Sequence, residues 1–256
     1  MDLDPDLAAL APLGGFFVLR TGRAPGPLPT LARAYGPPPD RAGARTGEDP
    51  DVHDDPLTFR VRKVAGALRA AEPRVAASVA HQGLAARLWS AALGCAALYG
   101  RVPDLDAGLL GWDPDGSAPD DLWLAEVRPL PADAGTLARV VLDGHLEPLT
   151  AAVRARHRIA PALLWGNAAS ALAAAARLLE RWARGSGDAR AGAHARDLSA
   201  RLLADPRLAS AGTLTRGGFR RRSCCLYYRV PGGGVCGDCC FPRAPRSSPH
   251  AASGRS

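Results

Sequence analysis

The sequence is poor in lysine. Lys63 is the only one among 32 basic residues, so nearly all of the net charge of +7 is carried by arginine. GC-rich codon usage explains that bias without appeal to function, although a basic balance still favours acidic partners. No nucleic-acid recognition motif accompanies the charge, and nucleic acid is not expected as a partner. Aromatic residues are also scarce, at 5% against 47% hydrophobic overall. Most of the apolar count is alanine and leucine, which favours helix over sheet. No dinucleotide fingerprint, a G-x-G-x-x-G between a strand and a helix, is present. The opening Met1-Asp2-Leu3-Asp4-Pro5-Asp6 is acidic and has neither the basic nor the apolar region of an export signal. The expected compartment is therefore the reducing cytoplasm. The longest run free of charge, Ile159 to Ala176, reaches the lower limit for a membrane span. It contains Pro161, Gly166, Asn167 and Ser170, and it reads as a buried helix.

Against these absences stands a concentration of sulfur. Five of the six cysteines lie between Cys224 and Cys240, in the pattern C-C-x10-C-x2-C followed by one more cysteine. Thiolates are soft ligands, and four in a tetrahedral set suit zinc or an iron–sulfur cluster. The Cys236–Cys239 half is common to both, because two intervening residues let both sulfurs face one centre. The adjacent pair Cys224-Cys225 discriminates. Neighbouring side chains in extended chain point to opposite faces. The pair must either bend its backbone to grip one metal or divide its sulfurs between two, and a two-iron cluster offers two. Pro231 and Gly232–Gly234 supply a tight turn between the halves, and Gly237 allows close backbone approach. Disulfides are the third reading, since Cys95 makes the number even, but such frameworks belong to small secreted domains.

The rest of the chain reads as mainly α with a small β component, a helical body ahead of a C-terminal cysteine cluster-binding loop. Residues 1–56 form an N-terminal segment with a strand at Gly14–Arg20 and a Pro/Gly-rich loop. Its cluster Asp51-Val52-His53-Asp54-Asp55 has the composition of a hard-metal site but reads as a solvated loop. The helical body spans 57–215. Helices are expected at Thr58–Ala71, from Pro73 through Trp89, over the apolar run Ala91–Tyr99, over Ala134–Arg156, over Ala160–Trp182 and over Ala189–Leu203. Residues 100–121 read as loop, and Leu122–Arg128 as a strand that pairs near Phe16. Cys95 reads as a small buried hydrophobe. The cysteine motif occupies 216–241, and the Pro/Ser/Arg-rich tail 242–256 is expected to be disordered.

The segment Arg222-Ser223-Cys224-Cys225-Leu226-Tyr227-Tyr228-Arg229-Val230-Pro231-Gly232-Gly233-Gly234-Val235-Cys236-Gly237-Asp238-Cys239 resembles the C-terminal motif of the FhuF-type ferric siderophore reductases. Val75–Trp89, His145–Leu149 and Leu163–Asn167 extend the resemblance over most of residues 10–241. It implies a [2Fe-2S] cluster held by Cys224, Cys225, Cys236 and Cys239. Cys240 departs from the family, which has an aliphatic residue there, and is the alternate ligand. The resemblance further implies a cytoplasmic iron–sulfur oxidoreductase, with peripheral association at the inner face of the membrane as an extension. It would reduce Fe(III) in imported hydroxamate-type siderophores by one-electron transfer. With no dinucleotide site, the electrons would come from an external protein donor. Trp165, Asn167, His145 and His81 are the candidate lining of a substrate cleft; core packing is the simpler account of Asn167 and His81. Arg216, Arg220, Arg221, Arg222 and Arg229 flank the ligands, as a solvated basic face or as the groups that tune the cluster and dock the donor. The rival functions are a [2Fe-2S] electron carrier or redox sensor without a substrate of its own, and a zinc-stabilised structural module.

Overall fold

The computed structural model describes residues 7–38, 52–215 and 218–245. The fold is mainly α with short strands. A 3-10 turn over Ala8–Leu13 leads to β1 (Arg20–Thr21) and the short helix α1 (Leu31–Tyr35). Helix α2 (Pro56–Leu68) and the long helix α3 (Pro73–Tyr99) follow. Then come β2 (Arg101–Pro103), β3 (Leu110–Trp112), β4 (Leu122–Leu124) and β5 (Pro129–Pro131). Helix α4 (Ala134–Leu137) passes without a break through a π-helical segment, Ala138–Leu146, into α5 (Glu147–Arg156). Helices α6 (Pro161–Ser186), α7 (Ala189–Leu203) and α8 (Pro206–Ala209) complete the body, and the hairpin β6 (Gly212–Thr215) and β7 (Gly218–Arg221) leads into the cysteines.

Helices α3 and α6 form the centre of the molecule, packed on each other, with α2 against α3 and α7 against α6. Their alanines explain the close fit. Ala76, Ala77, Ala85, Ala92 and Ala96 of α3 and Ala168, Ala169, Ala171 and Ala175 of α6 are all buried, and small side chains lose little entropy on burial. Pro73 and Pro161 sit in the first turns of α3 and α6, where a missing N–H costs nothing. Among the described residues α6 is the one helix long and apolar enough to cross a membrane, and 72% of its apolar window is buried inside the protein. The buried helix expected over Ile159–Ala176 is therefore what the structure contains.

Several local expectations are corrected. Gly14–Arg20 is not a strand: pairing begins only at Arg20, where β1 runs parallel to β4 through Arg20–Trp123 and Thr21–Leu124. Phe17 and Leu19 are buried while Phe16 is exposed, so burial alternates as in a strand although the backbone turns. The helix expected to stop at Trp89 runs on to Tyr99, because Ser90 and Gly94 are both buried and leave its apolar surface unbroken. The loop zone 100–121 contains β2 and β3, which pair antiparallel with β5 and β4, and Leu122–Arg128 gives up its last residues to a separate course into β5. Asp55 is not solvated. It caps α2 by accepting from the Thr58 N–H at 3.1 Å, and it is buried against Arg156 at 3.1 Å. Asp51 and residues 246–256 of the expected disordered tail lie outside the described residues.

Candidate metal centre

Strand β7 delivers the chain to the cysteines. Its pleat turns Phe219 and Arg221 inward and Arg220 outward. The backbone N–H of Arg221 then bonds to the Asp238 carbonyl at 3.0 Å, which ties the strand to the far end of the cysteine segment. After Cys224-Cys225 the backbone bends. Leu226 adopts the left-handed conformation at φ 69°, a state that costs a branched residue about 1 kcal/mol or more. The bend turns the chain back toward the sulfurs it has just passed. It directs the Leu226 N–H at Cys224 Sγ, at 3.3 Å, and the Tyr227 N–H at Cys225 Sγ. The second half repeats the device: the Asp238 N–H serves Cys236 and the Phe241 N–H lies 3.4 Å from Cys239 Sγ. In each half an amide two residues beyond its cysteine is thus hydrogen-bonded to the sulfur. Between the halves, Gly232 takes φ 73°, as the turn at Pro231 requires.

Side chains from the two central helices hold this segment in place. Ser78 of α3 donates to the Cys225 carbonyl at 2.8 Å. Ser170 of α6 donates to the Asp238 carboxylate at 2.6 Å, and Arg177 pairs with the same carboxylate at 3.1 Å. Ser223 Oγ donates to the Ala162 carbonyl at 3.0 Å. Glu72, just ahead of α3, pairs with Arg229 at 2.6 Å. Asp238 was visible only as part of the motif. The sequence does not mark Ser78 and Ser170 as anchors; their signal is a hydroxyl in an otherwise alanine-rich buried helix, where a polar group needs a partner.

All six cysteines are free thiols. Cys225 and Cys236 lie against each other and share a hydrogen bond, which lowers Cys225 to about 6 and pushes Cys236 up. Cys239 and Cys240 are likewise in contact. Cys224, raised chiefly by burial, lies within the fields of Cys225, Cys240 and Cys239. Burial pushes the Cys95 thiol up and leaves it inert in α3. Among the described residues no three metal-ligating side chains converge on a single point. Five thiols gathered in one short segment supply the four soft ligands that a [2Fe-2S] cluster requires. The residues present therefore fit a [2Fe-2S] cluster. Gly232, Gly234 and Gly237 happen to have dinucleotide-fingerprint spacing, but no helix follows them.

The expected substrate lining is not assembled beside the sulfurs. His81 is fully buried, held neutral by burial and by the charge of Arg221, which lower it to about 3. Its Nε2 lies 3.3 Å from Thr150 Oγ1. His145 is fully buried and lowered to about 4 by burial. Its Nε2 donates to the Leu105 carbonyl, so its Nδ1 accepts from the Tyr35 hydroxyl at 2.8 Å. Asn167 is buried as a packing group, donating to the Ser78 carbonyl at 2.9 Å. Trp165 lies under the guanidinium of Arg207 at 5.8 Å. A different set of residues faces the cysteines. Phe16, Val79, Gln82, Gly83, Ala86 and Tyr227 line an apolar groove of about 390 Å³ that ends at Cys225 and Cys236.

The arginines also separate. Arg220 is exposed and donates to the Cys240 carbonyl at 3.2 Å, and Arg222 is exposed beside the Ser210 carbonyl. Arg229 is neutralised by Glu72. Arg221 is 2% exposed, so it cannot contact a substrate or donor at the surface. Arg216 lies outside the described residues. No curated protein matches the chain in sequence. Residues 221–241 match the family model described as the FhuF 2Fe-2S C-terminal domain, and this end of the chain is thus an iron–sulfur segment of the FhuF kind that carries a [2Fe-2S] cluster.

Proposed function

We propose that the protein is a ferric siderophore reductase acting in the cytoplasm, with Cys224, Cys225, Cys236 and Cys239 as the cluster ligands. The observation that carries this reading is the groove ending at Cys225 and Cys236, beside the segment that matches the cluster domain. A cluster of this type supplies one electron at a time. One electron is what converts Fe(III) in a hydroxamate complex to Fe(II), whose lower charge binds hard oxygens less tightly. The groove falls within the size range of small-molecule sites, and its walls Phe16, Val79, Ala86 and Tyr227 offer an apolar surface to the carbon skeleton of a siderophore. Gln82 supplies a polar contact. Exposed Arg220 and Arg222 beside the ligand segment offer a docking face for an acidic electron-donor protein.

The test is stoichiometric. Protein reduced under anaerobic conditions is mixed with a ferric hydroxamate and a ferrous-specific chelator. One trapped Fe(II) per electron lost from the protein is expected. Gly83→Trp is the companion variant, because an added side chain at Gly83 meets nothing within 4 Å and projects into open space. It should retain iron and slow the reaction. A reduced protein that keeps its electron in the presence of the siderophore, yet passes it readily to another redox protein, would support the electron-carrier alternative instead.

A further inference from the structure

Arg221 is a buried cation whose partners are all neutral. Its Nε donates to the Ser223 carbonyl at 3.0 Å. Its Nη2 donates to the Leu163 carbonyl at 3.2 Å and to Asn167 Oδ1 at 2.7 Å. Its Nη1 is buried without a partner. Among the described residues no carboxylate lies within ion-pair distance of it, whereas Arg229, Arg177 and Arg207 each have at least one. The site is nonetheless built for this side chain. A Cβ on Gly166 of α6 would stand 2.9 Å from Nη2 and 3.4 Å from Nε, so glycine there leaves the room the guanidinium occupies. Arg221 is also tied to both halves of the cysteine segment. Its backbone N–H holds the Asp238 carbonyl, and through Asn167 it reaches Ser78, whose hydroxyl holds the Cys225 carbonyl. Its positive field reaches Cys225, Cys236 and Cys240.

A guanidinium taken out of water without a counter-ion is strongly disfavoured. As metal ligands the cysteine sulfurs that its field reaches would be thiolates, the anions it lacks. We infer that Arg221 is the buried counter-charge of the cluster, a positioning residue that selects its more negative, reduced form. The inference rests on the [2Fe-2S] reading above. With four thiolates the oxidised group carries a charge of about −2, and one electron from a chemical reductant such as dithionite takes it to about −3. The cation stabilises the second state more than the first. Exposed arginines are screened by solvent and contribute far less, which sets Arg221 apart from its neighbours Arg220 and Arg222.

The experiment is a potentiometric titration of the iron-loaded protein, followed by visible absorption. In Arg221→Gln the ratio of reduced to oxidised protein at a fixed potential should fall at least tenfold, a shift of about 59 mV for a one-electron couple. Asn167→Asp places a negative charge on the Nη2 contact with little change of shape and should shift the ratio in the same direction. Arg221→Lys keeps the charge and should stay within about threefold of the parent protein, a ratio that converts at the same constant. An unshifted potential in iron-replete Arg221→Gln or Asn167→Asp overturns the inference. If both neutralising variants lose iron while Arg221→Lys keeps it, charge is the requirement and the inference stands. Loss of iron in Arg221→Lys as well assigns the residue to shape and overturns it. Siderophore turnover does not enter these readouts. Failure of the reductase reading leaves them intact, whereas absence of iron from the parent protein overturns both.

Discussion

Asp238 is the residue whose removal should most cleanly separate cluster retention from folding. Its carboxylate is 8% exposed and sits between the two cysteines of the C-x2-C half. It accepts from Ser170 Oγ at 2.6 Å, a charge-assisted bond in a buried setting worth about 1.5–3 kcal/mol. The second partner, Arg177, is 43% exposed at its side chain, so solvent screening reduces that pair to about 0.5 kcal/mol. Asp238→Ala removes both and strands the Ser170 hydroxyl. The total falls at about 2–4 kcal/mol of lost anchorage for the loop that bears Cys236 and Cys239, within the range expected for a broken buried bond. If iron leaves through the open loop, its release rate follows the open population. A factor of ten per 1.4 kcal/mol then gives an acceleration of roughly 30- to 700-fold. The assay is iron release to a strong chelator, followed by loss of visible absorption. Arg177→Ala is the control and should accelerate release by no more than about fivefold. Release from Asp238→Ala at the parent rate would refute the claim that α6 holds the ligand loop through this carboxylate.

Three further outcomes are expected. Iron content should vanish in Cys225→Ser and in Cys236→Ser and persist in Cys95→Ser, since Cys95 is buried in α3; full iron in Cys236→Ser would transfer the role to Cys240. Asp121→Ala strips the buried guanidinium of Arg87 of its 2.8 Å partner and should cost about 3–5 kcal/mol in chemical denaturation, with a loss under 1 kcal/mol counting against the pair. His81 and His145 are lowered by burial to about 3 and about 4, so the folded chain binds fewer protons than the unfolded one below about pH 6.5. Their stabilising contribution is complete above that pH and is lost as pH falls toward the folded values. Each should remove about 2 kcal/mol by pH 5, which denaturant midpoints at pH 8 and pH 5 would read directly.

The helices were legible because their cause is local. Pro73 and Pro161 mark starts, and α7 lies where the pattern of Ala191, Ala195, Leu198 and Leu202 predicts. The strands were less legible. At two to four residues each, they are shorter than the alternation needed to recognise them, and their pairing is set by tertiary contact. Gly14–Arg20 shows the reverse error, an alternating burial produced by turns. In the site, the concentration of cysteines could be read from spacing, whereas the surrounding shell could not. Arg220, Arg221 and Arg222 are indistinguishable in composition. The period of two that begins at Phe219 separates them, and only the strand makes that period visible. His145 and Trp165 lie on helices as expected, but their partners, Tyr35 and Arg207, come from distant parts of the chain. The groove likewise joins Phe16 to α3 and to Tyr227 across more than two hundred positions, a meeting no local pattern announces.

The central claim is that the cysteine sulfurs between Cys224 and Cys240 hold a [2Fe-2S] cluster. Its most direct test is anaerobic purification followed by iron and acid-labile sulfide analysis, with low-temperature paramagnetic resonance after reduction. The account predicts about two irons and two sulfides per chain and a spin-half signal in the reduced protein. A colourless protein retaining about one zinc per chain would contradict it and leave a structural module in place of a reductase.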